Sequence, residues 1–328
     1  MKFPVLHWQV VPGLVAAVLS VCGGTGAIAQ PFPSKTTRII VAFPPGGGTD
    51  IVARIVGQKM AESLGQQIVI DNRGGAAGII GTEIAAKSPP DGYTLLMGTL
   101  GNLAVNQSLY AKVPFDIQRD FAPVTQVVAV TFLLYAHPSF PARSVKELIA
   151  MAKARPGQIQ YGHSGNGGAP HLGGALFESL SGVKLVAVPY KGSGPAFIDL
   201  MAGHIPLAFD SGLQGINFVR AGKLRALAVL GPQRSSLLPE LPTIGETLPG
   251  YEVTNWFGLV APTGTPRDIV NRWQTEVVKA LKVPEVRDKL VQQGADPVGS
   301  TPDEFAAFIK TETAKWAKVI KSADIRAD

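Results

Sequence analysis

The sequence holds one cysteine in 328 residues, 7% aromatics and 16% charged residues, with no cluster of basic residues. A lone Cys excludes a disulfide framework and any metal site built on paired thiolates. The formal charge of +6 is spread along the chain, which argues against nucleic acid as a partner while leaving a mild field that favours small anions. The apolar stretch from Val10 to Cys22 is too short for a membrane span, which needs about 20 residues. What is plentiful is apolar residues at 46%, together with 37 Gly and 26 Pro, so the chain can fill a core and its glycines and prolines read as placed turns. Its length suits two domains of about 150 residues each.

The N-terminus reads as a secretory signal over residues 1–29. Lys2 supplies the positive region, Val10 to Cys22 the apolar region, and Ala27-Ile28-Ala29 the small-residue cleavage site. Leu19-Ser20-Val21 lacks the small residue that a lipid anchor at Cys22 needs just before the cysteine. Cleavage leaves 299 residues with no thiol at all and a formal charge of +5.

Beyond it, strand-like and helix-like patterns alternate, which argues for an α/β architecture with parallel sheets. The first series runs from a strand at Thr36–Phe43 and a helix at Asp50–Leu64 to a short helical piece near Leu103–Tyr110. The second begins at Ser144 and ends with a strand at Leu224–Val229, and a helical tail follows from Pro266. Two long apolar extended stretches, Ala122–Ala136 and Tyr251–Val260, read as crossings between lobes. The expected organisation is therefore a first lobe of residues 30–125 plus 253–328 and an inserted second lobe of 126–252, with a hinge and a cleft between them.

Glycine-rich loops sit where strands hand over to helices. Phe43-Pro44-Pro45-Gly46-Gly47-Gly48-Thr49-Asp50 lets a ligand approach the backbone closely, and a helix start favours an anion. It lacks the Gly-Lys-Ser/Thr of a Walker loop, and Ile51 replaces the third glycine of a dinucleotide fingerprint, so no cofactor is expected. Asp50 is expected to cap its helix. Gly162-His163-Ser164-Gly165-Asn166-Gly167-Gly168 has the same character in the second series. A pair of such loops facing each other suits a small carboxylate held by N–H groups and hydroxyls. Gly98-Thr99-Leu100-Gly101-Asn102 and Phe209-Asp210-Ser211 end strands on the ligand side of such sheets. Asp210 either accepts a hydrogen bond from a ligand or caps the following helix; Asn72 and Arg73, at another strand end on the ligand side, either meet a ligand or brace their loop, and Arg73 reads more as a brace.

A serine hydrolase is the rival enzyme. Gly162-His163-Ser164-Gly165-Asn166 nearly matches a nucleophile elbow, but Asn166 stands where glycine is required, and the histidines after Ser164 are only His171 and His204. His163 and His171 lie eight apart without a metal-binding pattern. No catalytic constellation emerges, and no metal site is expected.

These residues resemble the periplasmic tripartite tricarboxylate transporter receptors, the Bug or TctC-type solute-binding proteins. The resemblance runs over nearly the whole chain after residue 29. It rests on Phe43 to Asp50 with Ala53-Arg54, Asn72-Arg73 with Gly75, Gly78 and Gly81, and Pro90-Asp91-Gly92-Tyr93-Thr94-Leu95-Leu96. Further matches are Phe121-Ala122-Pro123-Val124, Ser164-Gly165-Asn166-Gly167 with His171-Leu172, Val188-Pro189-Tyr190-Lys191-Gly192, and Gly222-Lys223-Leu224-Arg225-Ala226-Leu227-Ala228. The resemblance implies two Rossmann-like α/β lobes joined by a hinge, the type II periplasmic binding protein or Venus flytrap. It also implies a monomer in the periplasm that closes on a di- or tricarboxylate, amino acid or aromatic acid. The closed form is read by the transporter's membrane subunits, or by a sensor kinase. Carried over, the ligand residues are Phe43, Gly46, Gly47, Gly48 and Thr49 on one lobe and Ser164, Gly165, Asn166, Gly167 and Asp210 on the other, joined by Thr99 and Asn102 at the third strand end. Gly74, Ala77 and Gln107 depart from the family's pattern, at positions expected to stand outside the carboxylate clamp.

Overall fold

The computed structural model describes residues 1–5, 32–235, 237–322 and 325. The apolar region, Cys22 and cleavage site of the expected signal lie outside the described residues. From Phe32 onward the chain builds two sheets.

The first unit is β1 (Thr37–Val41), α1 (Gly48–Leu64), β2 (Ile68–Asn72), α2 (Ile79–Ala86) and β3 (Thr94–Thr99). A π-helical turn (Gly101–Val105) leads into the short α3 (Asn106–Leu109) and α4 (Ile117–Asp120), and then β4 (Phe121–Val130). Only Thr131 separates β4 from β5 (Phe132–Ala136), yet β4 belongs to one sheet and β5 to the other. The second unit continues through α5 (Val145–Ala154), β6 (Gln160–His163), α6 (Ala169–Ser181), β7 (Val186–Pro189) and α7 (Ser193–Ala202). It ends with β8 (Leu207–Ser211), α8 (Gly212–Arg220) and β9 (Arg225–Val229). The chain then returns through β10 (Asn255–Pro262), α9 (Arg267–Lys282), α10 (Pro284–Val291), β11 (Ala295–Pro297) and α11 (Pro302–Ser322).

The six-stranded sheet has the order β11-β4-β10-β3-β1-β2, and the five-stranded sheet β7-β6-β8-β5-β9. β1 runs parallel to β2 and β3, and β6 to β7 and β8. β10 is antiparallel to both β3 and β4, and β5 to both β8 and β9, so neither sheet is wholly parallel as the alternation suggested. The reason is geometric. A strand that arrives directly from the other sheet enters from the ligand end, against the direction of strands delivered by right-handed βαβ crossovers.

α8 and β11 owe their place to tertiary packing. α8 carries Gly212 and Gly215, poor helix formers that packing of Leu213 and Ile216 overrides. β11 interrupts the helical tail and pairs with β4 through Ala295↔Val130.

The returning C-terminal helices complete the first half. α9 packs on α1 and β4, and α11 on β4 and the π-turn. Trp256, Trp273 and Trp316 are fully buried there. Trp273 Nε1 donates to the Gly92 carbonyl at 2.9 Å, while Trp256 and Trp316 both donate to Glu312 Oε2 at 3.3 Å. Among the described residues no helix is long and apolar enough to cross a membrane.

Candidate functional site

The first glycine-rich loop leaves β1 and climbs onto the start of α1. Its helix cap is Gly47, with no side chain bonded to the helix N–H groups. Asp50, expected to be that cap, instead sits inside the first turn and folds the loop back. Its carboxylate accepts from Gly46 N–H at 2.9 Å, from Arg54 Nε at 3.0 Å and from Asn72 Nδ2 at 3.0 Å. Asn72 also donates to the Phe43 carbonyl at 3.1 Å, which ties the far end of the loop to β2. Burial pushes the Asp50 carboxyl up, but the bonds from Arg54, Gly46 and Asn72 outweigh it and hold the group below its ordinary value. Asn72 is thus a brace, and Arg73 another, its guanidinium paired with Asp71 at 2.9 Å.

The second loop is held by neutral imidazoles. Gly165 N–H donates to His163 Nδ1 at 3.3 Å, and Gly167 N–H to His171 Nδ1 at 3.2 Å. The two rings lie 4.7 Å apart. Burial, reinforced by His171, pushes His163 down to about 3, and burial lowers His171 too, so neither carries charge at neutral pH. They shape the loop. No group of His, Cys, Asp and Glu able to hold a metal is found among the described residues.

Between the loops lies a cavity of about 70 Å³, enough for roughly five waters or a small organic acid. Of the residues expected at the site, Phe43, Gly47, Gly48, Thr49, Thr99, Ser164, Gly165, Asn166 and Asp210 line it. Gly46, Asn102 and Gly167 do not. Gly46 takes φ +79° to turn the loop, and its carbonyl accepts from Gln214 Nε2 across the mouth. Asn102 stands behind the wall, its Oδ1 accepting from Thr99 N–H at 2.8 Å while its Nδ2 donates to Thr82 Oγ1. Gly167, at φ +78°, lies against Asn106 and Leu109 of the other half.

Several lining residues were not foreseen. Phe132 opens β5, while Asn255 and Phe257 open β10, so the two crossing strands form part of the cavity wall. The extended stretches signalled the crossings; nothing in their pattern said that these side chains would face a ligand. Ala77 also lines the cavity, although the family departure there was expected to stand outside the clamp. Its backbone is left-handed, φ +51°, and its carbonyl accepts from Asn106 Nδ2 at 3.1 Å. Lys191 is the one cation among the lining residues, with no ion-pair partner among the described residues.

At the end of β8, Asp210 does not cap α8; that position is Ser211. Its Oδ1 accepts from Ser193 Oγ and from Ser211 N–H, each at 2.7 Å, and burial pushes the carboxyl up to about 7.

The halves meet around the cavity mouth. Besides Gln214 on Gly46, Tyr110 Oη donates to the Asn166 carbonyl at 3.2 Å. At Gly48 an added Cβ would lie 3.0 Å from Leu213 Cδ1 and 3.2 Å from Ser211 Oγ, so the missing side chain is what lets the α1 start approach β8.

Two α/β sheets, exchanged strands and a cavity walled by the crossings define a two-lobed binding protein of the type II periplasmic class. Residues 52–325 match the family model described as tripartite tricarboxylate transporter family receptor. The chain is 38% identical over 312 residues to protein BugT of Bordetella pertussis, covering 93% of this chain and 96% of that protein. It superposes on an R. palustris protein solved with adipate at TM-score 0.87 and 40% identity, over 90% of this chain and 99% of the other. MatC from Rhodopseudomonas palustris, solved with bound malate, gives 0.84 and 33% over 88% and 100%. The chain belongs to the tripartite tricarboxylate transporter receptor family, which holds the Bug proteins. That family and these neighbours are receptors of binding and transport.

Proposed function

We propose that this protein is a periplasmic receptor that captures a small carboxylate between its lobes and presents it to the membrane subunits of a tripartite tricarboxylate transporter. One observation carries the reading: a small cavity lies between two glycine-rich helix starts and is lined by a single cation, Lys191. Backbone N–H groups at the starts of α1 and α6 and the hydroxyls of Thr49 and Ser164 offer donors to a carboxylate from both sides. The relatives solved with adipate and malate support the same chemistry.

One lobe carries the first sheet and the C-terminal helices, the other the second sheet, and the hinge passes through Thr131 and the segment before β10. The receptor works as a monomer after export by the 1–29 segment. Ligand binding favours the closed form by contacting both lobes at once. A sensor kinase that read the closed form would use the same cavity.

The test is thermal unfolding of residues 30–328 against mono-, di- and tricarboxylates, aromatic acids and their neutral amides. A ligand at 100 times its Kd adds about 2.7 kcal/mol. Upward shifts with a subset of the acids and none with the matching amides are expected. Equal shifts with the amides, or none with any acid for protein unfolded and refolded to strip a resident ligand, would overturn the reading.

A further inference from the structure

Asp210, Ser211 and Asn255 share an unusual state. Each lines the cavity, each is more than nine-tenths buried, and each holds an oxygen with no hydrogen-bond partner among the described residues: Asp210 Oδ2, Ser211 Oγ and Asn255 Oδ1. A buried polar atom left unpaired costs about 1–3 kcal/mol, more for a charged group, so three around one small cavity point to a partner that comes with the ligand.

The geometry at Asp210 is directional. Ser193 Oγ and Ser211 N–H both donate to Oδ1, which fixes the carboxylate plane and leaves Oδ2 as the free acceptor. Tyr135 Oη donates to the Ser211 carbonyl at 2.9 Å, so the strand end that carries the group is itself anchored. An ionised carboxylate only accepts hydrogen bonds. A second carboxylate placed against it would meet like charge in a buried site, whereas a hydroxyl or ammonium group would satisfy it.

Resting on the carboxylate reading above, we infer that Asp210, steadied by Ser193, is a specificity-determining residue that selects acids bearing a hydroxyl or amino substituent over the matching plain acids. Ser211 and Asn255 extend the same polar wall, Asn255 from the strand that crosses between the sheets. Ser193 is a positioning residue. It acts by occupying Oδ1, which leaves Oδ2 unpaired.

The experiment is isothermal titration at pH 8, above the value near 7 to which burial moves Asp210. The probes are two matched series: succinate, malate and aspartate, then adipate, 2-hydroxyadipate and 2-aminoadipate. In the wild type the substituted member of at least one series should bind about 10-fold or more tightly than its plain acid. Asp210→Asn, which keeps shape and the Ser193 bond, should abolish the preference for the amino acid over its plain acid. Asp210→Ser provides a second variant should the first fold poorly, and Ser193→Ala should shrink the preference, with Ser193→Thr restoring it. Plain acids binding as tightly as substituted ones, or a preference that survives in both Asp210 variants, would overturn the assignment and leave the carboxylate reading standing. Failure of every acid to bind would remove the carboxylate reading and the assignment with it.

Discussion

Asp50, in the first turn of α1, and Asp210, near the end of β8, are both buried beside a strand-to-helix junction, and they are kept in opposite states. Asp50 is saturated by Arg54, Asn72 and the Gly46 N–H, and held below the ordinary carboxylate value. Asp210 receives only a hydroxyl and one N–H, both on Oδ1, and burial lifts it to about 7. The contrast teaches what each loop is for. A carboxylate surrounded by donors is a structural post; one that lines a cavity with an oxygen left unpaired is the group we propose meets a ligand.

The largest test breaks the post. Asp50→Ala should cost about 3 kcal/mol of stability, because Arg54 and Asn72 lose a shared acceptor, and should weaken carboxylate binding at least 10-fold as the loop loosens. Chemical denaturation and titration measure the two effects. An undiminished affinity would mean that the loop holds its shape without the brace.

The opposite sign is expected in the other half. A folded-state value near 7 against an ordinary 3.8 means that the folded protein binds the Asp210 proton more tightly than the unfolded chain does. That group therefore costs stability as pH rises through this window, and the cost is complete above pH 7. Asp210→Asn should raise the stability of the ligand-free protein by about 2 kcal/mol at pH 8 and change it little at pH 4. A destabilised variant at pH 8 would show that Oδ2 is satisfied within the fold.

The second loop supplies a third test. His163 is pushed down to about 3 from 6.5, so the stability it lends is whole above pH 6.5 and is lost as pH falls toward 3. Between pH 6.5 and 4.5, His163→Asn should lose about 3 to 5 °C less of Tm than the wild type. Equal slopes would place the ring in water.

Smallest is the effect of Ala77→Gly. A left-handed alanine costs about 1 kcal/mol that glycine does not, and the variant should gain that much at most, with ligand affinity unchanged. A drop in affinity would instead assign the Ala77 methyl a contact in the cavity.

Much of this could be read before the coordinates. The alternation of strands and helices, the two crossings at Ala122–Ala136 and Tyr251–Val260, and the glycine loops around Gly47 and Gly165 all follow from local pattern, because period and glycine usage are local properties. The antiparallel sense of β5 and β10 does not, since direction depends on which end of a sheet the strand enters. The placement of Asn102 behind the wall rather than in it depends on which way a π-turn rotates its side chains.

The sequence by itself carried the family's motifs, and with them the class of protein, and it placed glycine-rich loops after the first strand of each series. Only the tertiary structure decided that Asp50 is a brace and Asp210 a free acceptor. Both are buried aspartates beside a strand-to-helix junction, and what separates them is which donors the fold brings within about 3 Å: Arg54 and Asn72 for one, Ser193 alone among the described side chains for the other. Ionisation is a property of surroundings assembled from distant parts of the chain, and no local pattern carries it.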